Sequence, residues 1–354
     1  MKVWIDVLTS KQATLFGYLA RELLMRGFKV IVTCRKYEYT EGGLKRLGIN
    51  PIVIGSYAEG DAYDKVMHDI NRMSELLKIV KHEKPTVLIA YPNPSAARIA
   101  FGLGIKYIAI TDSPHAEIPS RLSLPLADIV ITSKCIPQAE ILSYLYVTTK
   151  LYQYNGVDEI SWLIRSNPDI NYIRTLGLEE FKYVVLRPHE SLATYYRGHN
   201  VYIDMEELIQ YLNSEGYDIV FLPRYSIHEA LVKKLLKQGL KVKVIREYYD
   251  GVSLTYYALA VISGGASLAR EAALLHTVGI TYFPKKLYVN ECIKKFGYPL
   301  YDIRNMNDLK RVLKAIDIHK YKKKSFSNIL HELKSRFEDL ISLIIKILIN
   351  EVRD

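Results

Sequence analysis

The chain has 354 residues, of which 49% are hydrophobic and 24% charged, the composition of a folded globular protein rather than a disordered one. Its length exceeds that of one ordinary α/β core and fits two domains of typical size. With 48 basic and 38 acidic side chains the net charge is +10, which favours an acidic partner: a nucleotide, a nucleic acid or an anionic lipid surface.

Neither a secretion signal nor a membrane span is evident. The N-terminus reads Met-Lys-Val-Trp-Ile-Asp-Val-Leu, a strand that carries an acid, and lacks the apolar core of a signal peptide. The most apolar run, residues 340–349, is interrupted by Lys346 and is shorter than the ~20 residues that a bilayer crossing needs. We therefore predict a cytoplasmic protein.

Short apolar, β-rich runs alternate with amphipathic stretches through the first half of the chain. This pattern is typical of buried parallel strands joined by helices, and it predicts a doubly wound domain. The predicted strands are 2–8, 29–34, 51–54, 86–90, 107–111 and 129–132, and the predicted helices are 13–26 and 64–81.

The alternation breaks down over residues 144–168 and then restarts, which places a domain junction there. The sequence predicts two Rossmann-like doubly wound α/β domains facing a cleft, residues 1–165 and 166–354, with the C-terminal helix packing back. The predicted elements of the second domain are strands 183–186, 219–222, 242–245, 259–263 and 278–283, and helices 205–213, 227–237 and 267–275.

The tail combines a basic cluster with an apolar helix. Lys320, Lys322, Lys323 and Lys324 precede apolar residues at helical spacing from Phe326 to Ile344. Such a stripe must be buried, and we predict that it packs against the protein. Because a basic cluster beside an apolar helix also suits an interfacial anchor, peripheral contact with a membrane is the alternative.

A strand, a glycine turn and a helix follow one another over residues 259–271. Free amides and the positive end of the helix dipole face whatever lies at Gly264 and Gly265, while Ser267 stands in the first turn. Glu271, one turn further on, can accept hydrogen bonds from a sugar diol. These residues suit a nucleoside diphosphate, although a turn that uses glycine only for packing remains open.

Two arginines directly follow predicted strands of the same domain. Arg187 and Arg224 each stand next to a proline, and two cations at this edge would neutralise a pyrophosphate. The alternative is that both are surface arginines. His189, Glu190 and His228 are weaker candidates that we interpret as structural or solvated.

A loop beyond the fifth strand gathers ionisable side chains suited to proton transfer and phosphate binding. The loop residues are Asp112, His115, Glu117 and Arg121. In the alternative interpretation, Asp112 only caps the following turn and His115 is merely exposed.

Lys11 and Gln12 follow the first predicted strand and can reach the cleft. The alternative is that this segment has only a structural purpose, in which Thr9 or Ser10 caps the next helix.

Several motifs are missing from the sequence. It has neither a P-loop nor a dinucleotide fingerprint, and no His-Glu-x-x-His or paired-cysteine metal motif. The 28 tyrosines are scattered and form no stacking platform, so nucleic acid ranks low as a partner.

Several segments together resemble an uncharacterised, mainly archaeal GT-B-like family, a "domain of unknown function" group. It is related to nucleotide-sugar glycosyltransferases and to the non-hydrolysing UDP-N-acetylglucosamine 2-epimerases. The segments are Trp4-Ile-Asp6, Thr111-Asp-Ser-Pro-His115 with Arg121, Pro125-Leu-Ala-Asp128, Tyr154-Asn-Gly156 and residues 264–275.

The resemblance assigns the ribose hydroxyls to Glu271 and the diphosphate to Gly264, Gly265 and Ser267. It also implies that His115, Glu117 and Arg121 match the His-x-Glu-x-x-x-Arg element of the epimerases. Where many relatives have Gly-x-Pro after the glutamate helix, this chain has His276-Thr-Val278.

Three functions are compatible with these residues. The first is a metal-independent, inverting glycosyltransferase that needs no cofactor beyond its nucleotide-diphosphate-sugar substrate; Asp112 or His115 takes the proton of the acceptor, a lipid-linked compound or a glycan. The second is epimerisation at the sugar C2 by Asp112, Glu117 and His115. The third is a non-catalytic nucleotide-sugar binder.

Overall fold

The computed structural model describes residues 1–189, 203–224, 226–315 and 324–352. The chain divides into two compact units: unit 1 comprises Met1–Trp162 and Phe337–Asp354, and unit 2 comprises Leu163–Arg336. The sequence pattern predicts a boundary three residues later and a second domain that includes the C-terminal residues, whereas in the structure Phe337–Asp354 belongs to unit 1. Glu190 and the basic residues Lys320, Lys322 and Lys323 lie outside the described residues.

The described part of unit 1 contains a seven-stranded sheet in the order β3-β2-β1-β4-β5-β6-β7, and every neighbouring pair is parallel. Its central strands read as continuous apolar runs because helices cover both faces. The strands are β1 (Lys2–Val7), β2 (Lys29–Lys36), β3 (Ile52–Ser56), β4 (Val87–Ala90), β5 (Lys106–Thr111), β6 (Ile129–Ser133) and β7 (Lys150–Tyr154).

Several helices of unit 1 begin at polar residues whose side chains cap their first amides. Thr9 caps α1, Asp61 forms a capping box with Asp64 at α3, and Asn93 caps α4, whose first residue is Pro94. The helices are α1 (Ser10–Met25), α2 (Thr40–Arg46), α3 (Ala62–Glu83), α4 (Pro94–Gly102), α5 (Glu117–Ser123), α6 (Gln138–Leu142) and α7 (Glu159–Leu163).

The described part of unit 2 repeats the same strand order, β10-β9-β8-β11-β12-β13, again with parallel neighbours. The strands are β8 (Tyr183–Arg187), β9 (Asp218–Phe221), β10 (Val242–Val244), β11 (Ala260–Ser263), β12 (Val278–Thr281) and β13 (Leu300–Asp302). The helices are α8 (Ile170–Thr175), α9 (Met205–Ser214), α10 (Ser226–Lys237), α11 (Gly251–Tyr256), α12 (Ala266–Leu274), α13 (Tyr288–Lys295), α14 (Met306–Ala315) and α15 (Phe326–Arg336). The predicted pair of doubly wound units is confirmed.

The tail forms two helices, α15 and α16 (Leu340–Glu351), instead of one. Asp339 separates them because its carboxylate caps the amides of Ile341 and Ser342. Leu340, Ile344 and Leu348 are completely buried, so the apolar stripe of α16 packs within unit 1, as predicted. No helix in the described ranges has both the length and the apolarity needed to cross a bilayer.

Helix α15 is held on unit 2 by Glu332. Its carboxylate accepts hydrogen bonds from Lys324 (2.7 Å) and Arg336 (3.0 Å) and lies 3.0 Å from Nε2 of His276. Burial alone would raise the pKa of Glu332, but these cationic and hydrogen-bonding partners lower it to about 2. His276 has the left-handed φ of 58° that a glycine would favour, and its bond to Glu332 helps to hold the ring there.

A buried ion pair joins α3 to the sheet of unit 1. Nη1 and Nη2 of Arg72 donate to the carboxylate of Asp6 at 2.9 and 2.7 Å, and Nε donates to the carbonyl of Ile54. Asn93 and Thr33 also donate to this carboxylate. Since Asp6 is completely buried, its charge depends on these partners.

Replacing Arg72 with methionine should lower the free energy of unfolding of unit 1 by about 3–5 kcal/mol, because the Asp6 carboxylate stays buried without its cation. Both tryptophans, Trp4 and Trp162, lie in unit 1, so urea unfolding followed by tryptophan fluorescence reports on this unit. The control is Lys45→Met in the exposed pair with Glu41 on α2, which should change stability by less than about 0.5 kcal/mol. Equal effects of the two substitutions would contradict the assignment.

Candidate functional site

The carboxyl edge of the unit 2 sheet carries the predicted glycine turn. Strand β11 ends at Ser263 and α12 begins at Ala266, with Gly265 at the N-cap position. Gly265 has no side chain to cap the helix, and its own amide donates to Oγ of Ser263 at 3.1 Å. The first-turn amides of α12 therefore point from the sheet edge without a capping side chain, as an anion site requires.

The two glycines of the turn serve different purposes. A Cβ on Gly264 would lie 2.3 Å from Cα of His189, so this glycine is needed for close packing against the chain after β8. A Cβ on Gly265 would lie 3.1 Å from Nη2 of Arg224, so the second glycine leaves room beside a guanidinium. Gly264 is therefore required by the packing of the turn, whereas Gly265 leaves space next to a guanidinium.

Arg224 is fixed beside the turn. Its Nε donates to the carbonyl of Pro188 at 2.8 Å, and its backbone amide donates to Nδ1 of His228 at 3.1 Å. Burial and the neighbouring Arg224 charge lower the pKa of His189, which favours the neutral ring at this edge. The Arg224 guanidinium, the first amides of α12 and the His189 ring thus lie at the same turn.

The other predicted residues of unit 2 are more deeply placed. Arg187 is 8% exposed and donates through Nη1 to the hydroxyl of Tyr249 at 2.8 Å. Glu271 is 9% exposed, and its Oε1 accepts a hydrogen bond from Thr255 at 3.3 Å. Oγ of Ser267 lies 3.3 Å from Nη2 of Arg270, a buried arginine that sequence analysis did not single out.

Unit 1 gathers a polar cluster where β1 and β4 end. Nζ of Lys11 lies 2.6 Å from Oδ2 of Asp158, pairs with Asp112, and stands 5.3 Å from the ring centre of Tyr91. The hydroxyls of Tyr91 and Tyr154 donate to Asp158. Desolvation is the largest cause and the charge of Asp158 the next largest, and both raise the pKa of these tyrosines. The two hydroxyls therefore stay protonated and act as donors.

The sequence pattern indicates Lys11 and Asp112 as candidate residues but gives little sign of Asp158, Tyr91 and Tyr154. The available signal was weak, because Tyr91 directly follows a predicted strand while Asp158 and Tyr154 stand in the irregular junction. A contact between residues 11 and 158 is set by the strand order and cannot be read from local spacing. The side chain of Asp158 is 2% exposed and that of Asp112 11%, so Asp112 is the more accessible carboxylate.

The remaining predicted residues of unit 1 are not part of this ion-pair cluster. Oε1 of Gln12 accepts from the amide of Leu8 at 2.7 Å, a bond that closes the end of β1. Glu117 and Arg121 pair with each other at 3.0 Å on α5, with side chains 60% and 71% exposed. His115 is half-buried. In the described part of the chain, no three His, Cys, Asp or Glu side chains come together as a metal site.

Two parallel sheets with crossover helices form the α/β fold that this chain shares with GT-B-like neighbours, among them an epimerase and a glycosyltransferase. Residues 1–353 match the family model "Protein of unknown function (DUF354)", and the chain belongs to this family. It is 26% identical over 328 residues to the uncharacterized protein MJ0665 of Methanocaldococcus jannaschii, covering 90% of this chain and 91% of that protein.

Solved structures support the same fold. The chain is similar to the UDP-GlcNAc 2-epimerase of Methanocaldococcus jannaschii in complex with UDP-GlcNAc and UDP, with a TM-score of 0.74, 18% identity and 99% coverage of both chains. It is also similar to a glycosyltransferase from Rickettsia africae, with a TM-score of 0.55, 12% identity and coverage of 98% of this chain and 97% of that one. At these identities the likeness shows the fold alone.

Replacing each glycine of the turn with alanine should have a different effect on the stability of unit 2. Gly264→Ala should lower the stability of unit 2 by about 1–3 kcal/mol, since the new methyl group meets the His189 backbone. Gly265→Ala should change stability by less than about 0.5 kcal/mol, because the extended backbone tolerates alanine and only the end of the Arg224 side chain must move. Calorimetric unfolding measures both, and equal losses would refute the distinction.

Proposed function

We propose that the protein is a nucleotide-diphosphate-sugar-dependent glycosyltransferase that works without a metal ion. The observation that carries this proposal is the α12 N-terminus, whose first amides have no capping side chain and stand beside Gly265 and Arg224. Helix amides and a guanidinium both stabilise phosphate oxygens, and their effects add when they face the same group.

In this scheme the diphosphate lies at Gly264, Gly265 and Ser267, and Arg224 neutralises part of its charge. Glu271 lies further along α12 and accepts hydrogen bonds from the ribose hydroxyls. Arg187 adds positive charge from a buried position set by Tyr249. The similarity to an epimerase solved with UDP-GlcNAc and UDP favours a UDP-sugar as the donor.

Transfer then requires a base for the acceptor hydroxyl. The acceptor oxygen attacks the anomeric carbon, the bond from that carbon to the diphosphate oxygen breaks, and the nucleoside diphosphate leaves with the bonding electrons. Asp112 takes the acceptor proton, and Lys11 holds Asp112 in position while Asp158 holds Lys11. The charge that develops on the diphosphate is stabilised by the helix amides and Arg224. Inversion at the anomeric carbon follows from a single displacement.

Epimerisation at the sugar C2 is the second candidate. It is favoured by two carboxylates that share one lysine, because removal and return of the C2 proton need groups that exchange protons, and by the fold of the epimerase neighbours. The exposed Glu117–Arg121 pair argues against it, since its two side chains bond to each other on the surface of α5.

A nucleotide screen tests the binding half of the proposal. UDP-sugars should raise the melting temperature more than GDP-, CMP- or ADP-sugars, because a ligand at ~100 times its Kd stabilises by ~2.7 kcal/mol. Arg224→Ala should weaken this binding by about 10-fold or more, the effect of losing a charged hydrogen bond. Arg311→Ala, a 79% exposed arginine, is the control and should bind normally. Failure of every nucleotide to bind would overturn the proposal.

Isotope exchange tests the chemical half. Incubation with UDP-N-acetylglucosamine alone in deuterated water should leave C2 unlabelled if the enzyme is a transferase, whereas deuterium at C2 would establish epimerisation. Asp112→Asn should lower turnover by about 10²- to 10⁴-fold without loss of nucleotide binding. Glu140→Gln, an exposed acid on α6, is the control. Unchanged turnover in Asp112→Asn would remove the catalytic assignment.

A further inference from the structure

Helix α3 exposes an apolar stripe that the proposed function does not use. Its members recur at intervals of three, four and seven residues and therefore lie on one face of the helix. Their exposed fractions run from 37% to 70%, although most large apolar side chains elsewhere in unit 1 are buried. The stripe consists of Tyr63, Val66, Met67, Ile70 and Leu77.

The rotation of α3 about its axis is fixed by its other face. Arg72, Leu76 and Val80 are buried, and Arg72 is bound to Asp6 and to the carbonyl of Ile54. The helix cannot turn its stripe inward without breaking that ion pair. A contiguous apolar face held toward solvent in this way marks an interaction surface.

The charges at the two ends of α3 are opposite. The N-terminal end carries net negative charge and the C-terminal end net positive charge, so each end also complements the helix dipole. The N-terminal group is Glu59, Asp61, Asp64 and Lys65, and the C-terminal group is Lys78, Lys81, Glu83 and Lys84, in which Lys78 pairs with Glu75 and Glu83 with Lys2.

This arrangement is complementary to itself. When two copies of α3 are placed antiparallel with a two-fold axis at Ile70, Tyr63 of each copy faces Leu77 of the other, and Lys81 faces Glu59. The same operation brings each acidic end to the basic end of the partner helix. A parallel pairing would instead place like charges together at both ends.

We propose that α3 is the interface of a homodimer in which two copies of this chain pair through antiparallel α3 helices. A second copy of the chain covers the stripe, because a single two-fold axis buries both apolar stripes and pairs both charged ends with opposite charge. From Tyr63 to Leu77 the stripe covers 15 residues. This is about 21 Å of helix, which gives the contact a length of almost four turns. The proposal is independent of the reaction that the protein catalyses.

Sedimentation velocity on the full chain tests the pairing. The wild-type protein should shift from monomer to dimer between about 1 and 100 μM. Ile70→Asp should weaken the dimer by more than about 10-fold, because two carboxylates then meet at the two-fold axis. Val147→Asp is the matched control: the same change at an 87% exposed position outside α3 should leave the dimer intact. Unchanged circular dichroism confirms that both variants fold.

A charge exchange tests the antiparallel register. Glu59→Lys and Lys81→Glu should each weaken self-association a few-fold, and a mixture of the two variants should form heterodimers, because each mutated residue then faces its opposite charge. A monomer at all concentrations would overturn the proposal, and so would a dimer that tolerates Ile70→Asp. Failure of the mixture to recover association would overturn the antiparallel register.

Discussion

The order of the parallel strands is the constraint on which both candidate sites depend. In each sheet the chain leaves two adjacent central strands in opposite directions, β1 and β4 in unit 1 and β8 and β11 in unit 2. The connections after these strands diverge, so a crevice opens at their carboxyl ends. Lys11 and Tyr91 follow one such pair of strands, and His189 and Gly264 follow the other.

The two crevices differ in charge, and that difference follows from residues that the fold brings together. In unit 1 the ammonium of Lys11 is shared by two carboxylates, so negative charge is in excess when all three groups are ionised. In unit 2 the helix amides and Arg224 lie beside the turn, and the lowered pKa of His189 favours its neutral form there. An acidic crevice is the setting that the proposed proton transfer needs, and a basic crevice is the setting that the proposed diphosphate site needs.

Apolar periodicity predicts the central strands of both sheets but not two of their edges. Strands such as β4 and β6 are buried on both faces, and a continuous apolar run reveals them. Strand β7, at an edge, is mostly half-exposed and contains Lys150, Gln153 and two tyrosines, so it reads as irregular sequence. Strand β13 has only three residues. The division of the tail into two helices was missed because it depends on one cap, Asp339, within an otherwise helical pattern.

The candidate site is less predictable from the sequence than the strands are, because the role of each residue there depends on partners distant in sequence. Gly264 and Gly265 are adjacent and identical, and a glycine turn before a helix predicts an anion site without separating them. The two glycines differ in their neighbours. The chain after β8 occupies the space that a side chain on Gly264 would need, whereas the loop after β9 brings Arg224 beside Gly265. Asp158 is an equivalent case, because only the path of the chain after β7 brings it to Lys11. The local sequence thus predicts at which edge of a sheet a ligand site forms, while the strand order determines which side chains lie at that site.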